Sequence, residues 1–268
     1  MLEKKSKDEH SFEFKEMIKG INTIIVDEVH MAKADVLKRM LTGPFAHCGI
    51  RWGLTGTVPK QDYEFFGIKC SIGEVTNKIA AKTLQDKGVL AKCNVNVVQM
   101  LDTKEFKTYA EELKWLTTDP DRMSWIANTI DSVATTGNTL ILVDRISAGE
   151  ILNKKIKDSV FISGNTKNAD RKEHYDEVST AKNKIIIATY GVASVGINIP
   201  RIFNLVLIEP GKSFVRVIQS IGRGIRKAED KDHVEIWDIT SSCKFAKRHL
   251  TQRKKFYKEA NYPYNIEK

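Results

Sequence analysis

Three short stretches carry residue types from which phosphate chemistry can be built. In INTIIVDEVH (21–30) a strand-like apolar run breaks off at two adjacent carboxylates, Asp27 and Glu28, with His30 two residues further on. Carboxylates at the carboxyl edge of a parallel strand stand where α/β proteins bind ligands. As in nucleotide hydrolases, the Asp can hold Mg²⁺ through water while the Glu orients and deprotonates the attacking water. A solvated turn between strand and helix would leave the same letters. In WGLTGTVPK (52–60) a second strand-like run ends in Thr55, Gly56 and Thr57. These small residues can relay hydrogen bonds from the acidic site to a neighbouring domain, or simply make a turn and cap. IQSIGRGIRK (218–227) has the pattern Q-x-x-G-R-x-x-R, with Gln219, Gly222, Arg223 and Arg226. The two arginines are three apart and so share a face if the segment is helical. Guanidinium groups suit the charge that develops on a transferring phosphoryl group; a basic amphipathic helix is the plain alternative.

Weaker stations lie between and beyond these. IIIATYGVASVGINIP (185–200) places Thr189 where its hydroxyl and nearby N–H groups suit a nucleic-acid phosphate. Asn198 suits a nucleotide ribose or a domain interface, while Gly191 and Gly196 serve either function or backbone geometry. In LILVDRISAGEIL (140–152) Arg145 and Ser147 stand at a strand–helix junction, and in FISGNTKNADR (161–171) Ser163, Gly164 and Arg171 span a glycine turn. Both junctions fit phosphate-backbone contacts, and both suit ordinary βα loops. The charge of +9 is concentrated at the C-terminus, where Lys244, Lys247, Arg248, Arg253, Lys254, Lys255, Lys258 and Lys268 meet only Glu259 and Glu267. The interleaved Phe245, Phe256, Tyr257, Tyr262 and Tyr264 either stack on bases or pack inward.

The elements that must position these groups alternate. Strands are predicted at 21–27, 50–56, 94–100, 139–144, 159–163, 184–189, 204–209 and 233–239. Helices are predicted near 31–42, 104–117, 121–136, 147–157, 167–181 and 213–226. This alternation predicts an α/β protein with parallel sheets. The continuous runs IIIA and LVLI read as strands buried on both faces. Residues 1–95 form a first unit with few strands, 96–240 a complete second one, and 241–268 a basic helix or tail. A composition of 41% hydrophobic and 29% charged residues is that of a globular protein. No apolar run approaches the roughly 20 residues that span a bilayer. The charged N-terminus lacks a signal-peptide core, so no membrane partner and a cytoplasmic location are expected. Cys48, Cys70, Cys93 and Cys243 are scattered, which predicts free thiols.

Taken in order, DEVH, LTGT, the strand at 140–144, SGNT, ATYGVASVGIN and QSIGRGIR resemble motifs II to VI of the superfamily 2 helicases, over about residues 20–240. From SGNTKNADR to QSIGRGIRK the chain is most similar to the UvsW-type recombination helicases of T-even-like bacteriophages. The resemblance implies two RecA-like domains and ATP with Mg²⁺ as cofactors. Asp27 would hold the Mg²⁺ through water, Glu28 would be the catalytic base, and His30 would couple the nucleotide state to Thr55 and Thr57. Gln219, Arg223 and Arg226 would reach the phosphates, with Arg226 as the arginine finger. Thr189 and the Arg145 junction would track one DNA strand. The implied partners are branched or single-stranded DNA and RNA in R-loops, in the host cytoplasm if the protein is viral. A phosphate-binding loop of the type G-x-x-x-x-G-K-[ST] is not found; the residues before Asp27 hold a single glycine, Gly20. The first RecA-like domain is therefore expected to be truncated and to need an N-terminal polypeptide that carries this loop. A non-catalytic nucleic-acid-binding module and a duplex translocase motor of restriction or remodelling type are the alternatives.

Overall fold

The apolar runs of the sequence become strands, and all eight predicted strands are present. The computed structural model describes residues 16–31, 34–59, 62–194 and 199–267. It divides into two units, Met1–Lys78 and Ile79–Lys268. This division falls earlier than the expected boundary near residue 95. The intervening residues group with the second unit because their strand is hydrogen-bonded into its sheet.

In the first unit, β1 (Thr23–Val26) and β2 (Ile50–Gly53) pair in parallel, with Ile24 opposite Arg51 and Ile25 opposite Trp52. Successive side chains on a strand point to opposite faces. Ile24 and Val26 accordingly pack on one side against Val29, Leu37, Leu41 and Ile68. Two helices supply that cover, α1 (Ala34–Thr42) and α2 (Asp62–Ser71). Ile25, Ile50 and Trp52 point the other way and are 60%, 51% and 60% exposed. Arg51 turns its guanidinium under the sheet and donates to the carbonyls of Cys48, Leu41, Ala46 and Ser71, which closes the loop leading into β2.

The second unit opens with α3 (Ala81–Asp86) and is built on seven parallel strands: β3 (Lys92–Met100), β4 (Thr139–Val143), β5 (Ser159–Ile162), β6 (Ile185–Thr189), β7 (Asn204–Ile208), β8 (His233–Ser241) and β9 (Tyr264–Glu267). Their order is β5-β6-β4-β7-β8-β3-β9. Parallel neighbours require crossovers, and the helices that make them cover both faces. On one face Ile141, Val143, Ile187, Val206 and Ile208 meet Met123, Ile126, Ile130 and Leu152. These come from α5 (Pro120–Ala134) and α6 (Ile146–Lys155). On the other face Leu140, Leu142, Ile186, Leu205 and Leu207 meet Val178, Val217, Ile221, Leu250 and Tyr257. Those side chains belong to α7 (Asn168–Thr180), α9 (Phe214–Gly224) and α10 (Lys244–Glu259), with the short α8 (Tyr190–Ser194) beside them. Fully burying each such aliphatic side chain contributes about 1.5–3 kcal/mol.

The C-terminal segment is not a separate tail. The buried carboxylate of Glu112, on α4 (Tyr109–Leu116), accepts the N–H groups of Phe245 and Ala246. A carboxylate there satisfies two orphan donors and complements the positive end of the helix dipole. After α10 the chain returns to pair β9 with β3. Among the described residues no helix is long and apolar enough to cross a membrane.

Candidate nucleotide and nucleic-acid sites

Asp27 and Glu28 follow β1 directly and are exposed. Glu28 has a φ of 47°, in the left-handed region that few residues without a glycine's freedom adopt. The Glu28 N–H donates to Asp27 Oδ1 at 2.8 Å, tightening the turn. Val29 is buried, and its N–H donates to Leu54 O, so the turn after β1 is tied to the turn after β2. His30 Nδ1 then lies 2.6 Å from Thr55 Oγ1 and 3.4 Å from Glu28 Oε2. Thr55 Oγ1 in turn accepts the Thr57 N–H at 3.1 Å and lies 3.0 Å from Thr57 O. Thr57 is buried, and its own hydroxyl lacks a hydrogen-bond partner among the described residues. Two stretches 25 residues apart in sequence are thus joined by hydrogen bonds, with His30, Thr55 and Thr57 in series and the Glu28 carboxylate beside His30. Gly56 is exposed at its turn. An exposed carboxylate suits Mg²⁺, which keeps several waters and takes one or two protein carboxylates beside substrate phosphates. Among the described residues no cluster of three or more His, Cys, Asp or Glu offers a protein-only cage.

In the second unit, Ser213 caps α9 by accepting the Arg216 N–H. Gln219 and Arg223 lie on this helix, half-buried. Arg226 does not share a helical face with Arg223, contrary to expectation: α9 ends at Gly224. Ile225 is buried and closes the helix on Ile221 O, and Arg226 pairs as an antiparallel bridge with Leu90. Gly224 packs tightly, since an added Cβ would lie 3.0 Å from Leu205 Cδ2, whereas Gly222 faces open space.

The nucleic-acid candidates divide between exposed and structural. Arg145 sits at the N-cap of α6, half-buried. Asp144 beside it accepts from Arg216 Nη1 at 2.5 Å, and the Arg216 guanidinium lies over the Tyr190 ring at 5.2 Å. Arg216 therefore links α9 to the ends of β4 and β6. Thr189 ends β6, and its hydroxyl accepts the Val192 N–H at 3.4 Å. Gly164 is exposed, Arg171 is half-buried and Ser163 is held inside the turn. Ser163 is buried and its Oγ accepts the Asn165 N–H, while Arg171 Nη2 donates to Ser163 O and Gly164 O. Both shape the turn from within. Gly196 and Asn198 lie outside the described residues.

On α10, Lys244, Lys247, Arg248 and Lys255 are exposed and Lys254 is half-buried. Arg253 is the further correction. It has no solvent exposure and donates Nε and Nη2 to Asp238 at 2.8 and 2.9 Å and Nη1 to Gly211 O. It cannot contact DNA. Phe256, Tyr257 and Tyr262 are buried and Phe245 packs on Tyr109, so the aromatics point inward.

A second buried network was not expected from the sequence. Arg122 donates to Asp102 at 2.5 Å and to Glu209 at 2.9 Å, and Thr240 Oγ1 donates to the other Glu209 oxygen. Burial pushes the Glu209 carboxyl up to about 7, against the opposing pull of Arg122. Its members are far apart in sequence, and no local pattern could have found them.

Residues 121–228 match the helicase conserved C-terminal domain. The chain is 26% identical over 259 residues to the ATP-dependent DNA helicase uvsW of Enterobacteria phage T4, covering 92% of this chain and 51% of that protein. It spans about half the length of the curated relatives it matches. The crystal structure of T4 UvsW superposes with a TM-score of 0.57 at 19% identity, covering 98% of this chain and 60% of that one. A fragment of a putative HsdR subunit of a type I restriction enzyme from Vibrio vulnificus YJ016 superposes with a TM-score of 0.71 at 16% identity, covering 94% and 50%. With its motifs in order on parallel sheets flanked by helices, this chain carries a helicase conserved C-terminal domain over residues 121–228 and is similar to the phage helicase uvsW over most of its length.

Proposed function

We propose that this chain is the motif II–VI portion of an ATP-dependent DNA helicase or translocase that remodels branched DNA or R-loops. The observation that carries this reading is the hydrogen-bonded series His30–Thr55–Thr57 with Glu28 beside His30, which joins the acidic turn to the hydroxyl turn. A solvated strand-to-helix turn would not need a nearly buried histidine between them. In this reading Asp27 holds Mg²⁺ through water, Glu28 activates the attacking water, and Arg223 and Arg226 offset charge on the transferring phosphoryl group. Gln219 contacts the nucleotide, and Arg145, Thr189 and the Gly164 turn follow a phosphate backbone. The phosphates themselves need a cradle of backbone N–H groups and a lysine. We infer that polypeptide upstream of Asp27 and outside this sequence supplies it.

A second reading is favoured by the contrast between the two sheets. Among the described residues the second unit has seven strands and covered faces, whereas the first has two strands and one open apolar face. The second unit could then bind nucleic acid unaided. Strand displacement on a forked duplex separates the two readings, using the chain joined to a phosphate-loop segment. The helicase reading predicts ATP-dependent displacement that Glu28→Gln abolishes. Salt-sensitive binding with no nucleotide effect would support the binding module instead.

A further inference from the structure

Lys231 is 2% exposed, unusual for a lysine, and lies in the link between α9 and β8. Its ammonium donates to three backbone carbonyls: Gly224 O at 2.5 Å, Arg226 O at 2.9 Å and Pro200 O at 3.0 Å. An ammonium has three N–H donors and no acceptor, so every donor is used. Two of the three carbonyls lie at the C-terminal end of α9, where helix carbonyls lack intrahelical partners and the dipole favours a cation. The third, Pro200, belongs to the segment that leads into β7.

The same stretch of backbone is held from its other side. Leu90 bridges Arg226, the Ala91 N–H donates to Ile225 O at 2.8 Å, and Lys227 Nζ donates to Gly88 O at 3.1 Å. Gly224 allows close packing on Leu205, but it does not explain why the helix stops there. A continuing helix would turn the Gly224 and Arg226 carbonyls toward N–H groups four residues on. Lys231 takes both carbonyls instead. Burial pulls the ammonium down to about 8, with Asp230 acting in the opposite direction. The cation is therefore kept at this place against the cost of losing its water.

We propose that Lys231 is the positioning residue for Arg226: it ends α9 at Gly224 and holds the Arg226 backbone off the helix, in register with residues 88–91. The proposal rests on the reading of Arg226 as a phosphate-facing arginine, and its test separates the two. Hydrogen exchange is measured on the full chain and on Lys231→Met, which keeps an unbranched apolar stem and removes the ammonium donors. Amides of residues 225–227 and 88–91 should exchange at least tenfold faster in the variant, while β4, β6 and β7 are unchanged. An unchanged rate at 225–227, or a uniform acceleration across the unit, would overturn the proposal. If Lys231→Met does not fold, nitrogen NMR of the unaltered chain decides. Protected ammonium protons on Lys231 that titrate near pH 8 support the proposal, and rapid exchange with titration near 10.5 overturns it. With the phosphate-loop segment joined, Lys231→Met and Arg226→Ala should lower kcat for ATP with little change in KM, and the double variant should lose no more than Arg226→Ala alone. Additive losses would mean that Lys231 acts apart from Arg226. If Arg226→Ala itself has no effect, the phosphate-facing reading fails while the exchange result still judges the positioning.

Discussion

Arg253 and Lys255 stand two residues apart in one basic run, yet the first is fully buried and the second is exposed. Helix phase makes the difference. Ala246, Leu250, Arg253 and Tyr257 fall on the inward face of α10, and Asp238 beneath them makes an arginine tolerable there. Removing one partner of such a pair leaves an uncompensated buried charge, which costs about 3–5 kcal/mol. Asp238→Ala also strips the Tyr257 hydroxyl of its acceptor. We therefore expect this variant to lose most of the stability of the second unit, seen as a lower urea midpoint by tryptophan fluorescence. An unchanged midpoint would mean that the pair is not closed in solution. The sequence showed this residue's charge but not its phase or partner. The same limit hid Lys231 and Arg122, whose partners are backbone carbonyls or side chains distant in sequence. Asp27, Glu28, His30, Thr55 and Thr57 were legible because each short stretch carries its own pattern, and the structure brings His30 and Thr55 together.

At the scale of elements, the strands were the most legible because buried parallel strands are continuous apolar runs. TLILV, IIIAT and NLVLI match the central strands to within a residue or two. The helix α2 was missed because DYEFFGIKCS has little periodicity, with Tyr63 and Phe66 exposed and Ile68 buried. The strand β9 was missed because it is four residues long and is recruited only by pairing with β3. The end of α9 was read two residues too late, since the local sequence does not reveal the carbonyl contacts of Lys231. For α10, the inward aromatics leave a face of cations without a stacking surface, which suits phosphate contacts alone. Replacing Lys244, Arg248 and Lys255 by Gln should reduce the slope of log K against log salt by about 0.9 per phosphate contact on duplex DNA, or about 0.7 on a single strand. Titrations at several salt concentrations would measure it. An unchanged slope would make this face merely solvated.

At the scale of the whole molecule, the described residues cover both faces of the sheet in the second unit and one face in the first. Ile25, Ile50 and Trp52 form an open apolar row beside the turn that carries Asp27 and Glu28. An open face and edge of this kind favour association with further polypeptide. It lies next to the acidic turn for which we infer a phosphate loop supplied from upstream. In the proposed function, ATP hydrolysis at the acidic turn depends on Glu28 and needs that loop. The most direct measurement is ATP turnover with branched DNA, by this chain alone and by the chain joined to a phosphate-loop segment, each beside its Glu28→Gln variant. We expect no turnover above the variant for the chain alone, and DNA-stimulated turnover lost in Glu28→Gln for the joined protein. Turnover by the chain alone that depends on Glu28, or none by the joined protein, would contradict it.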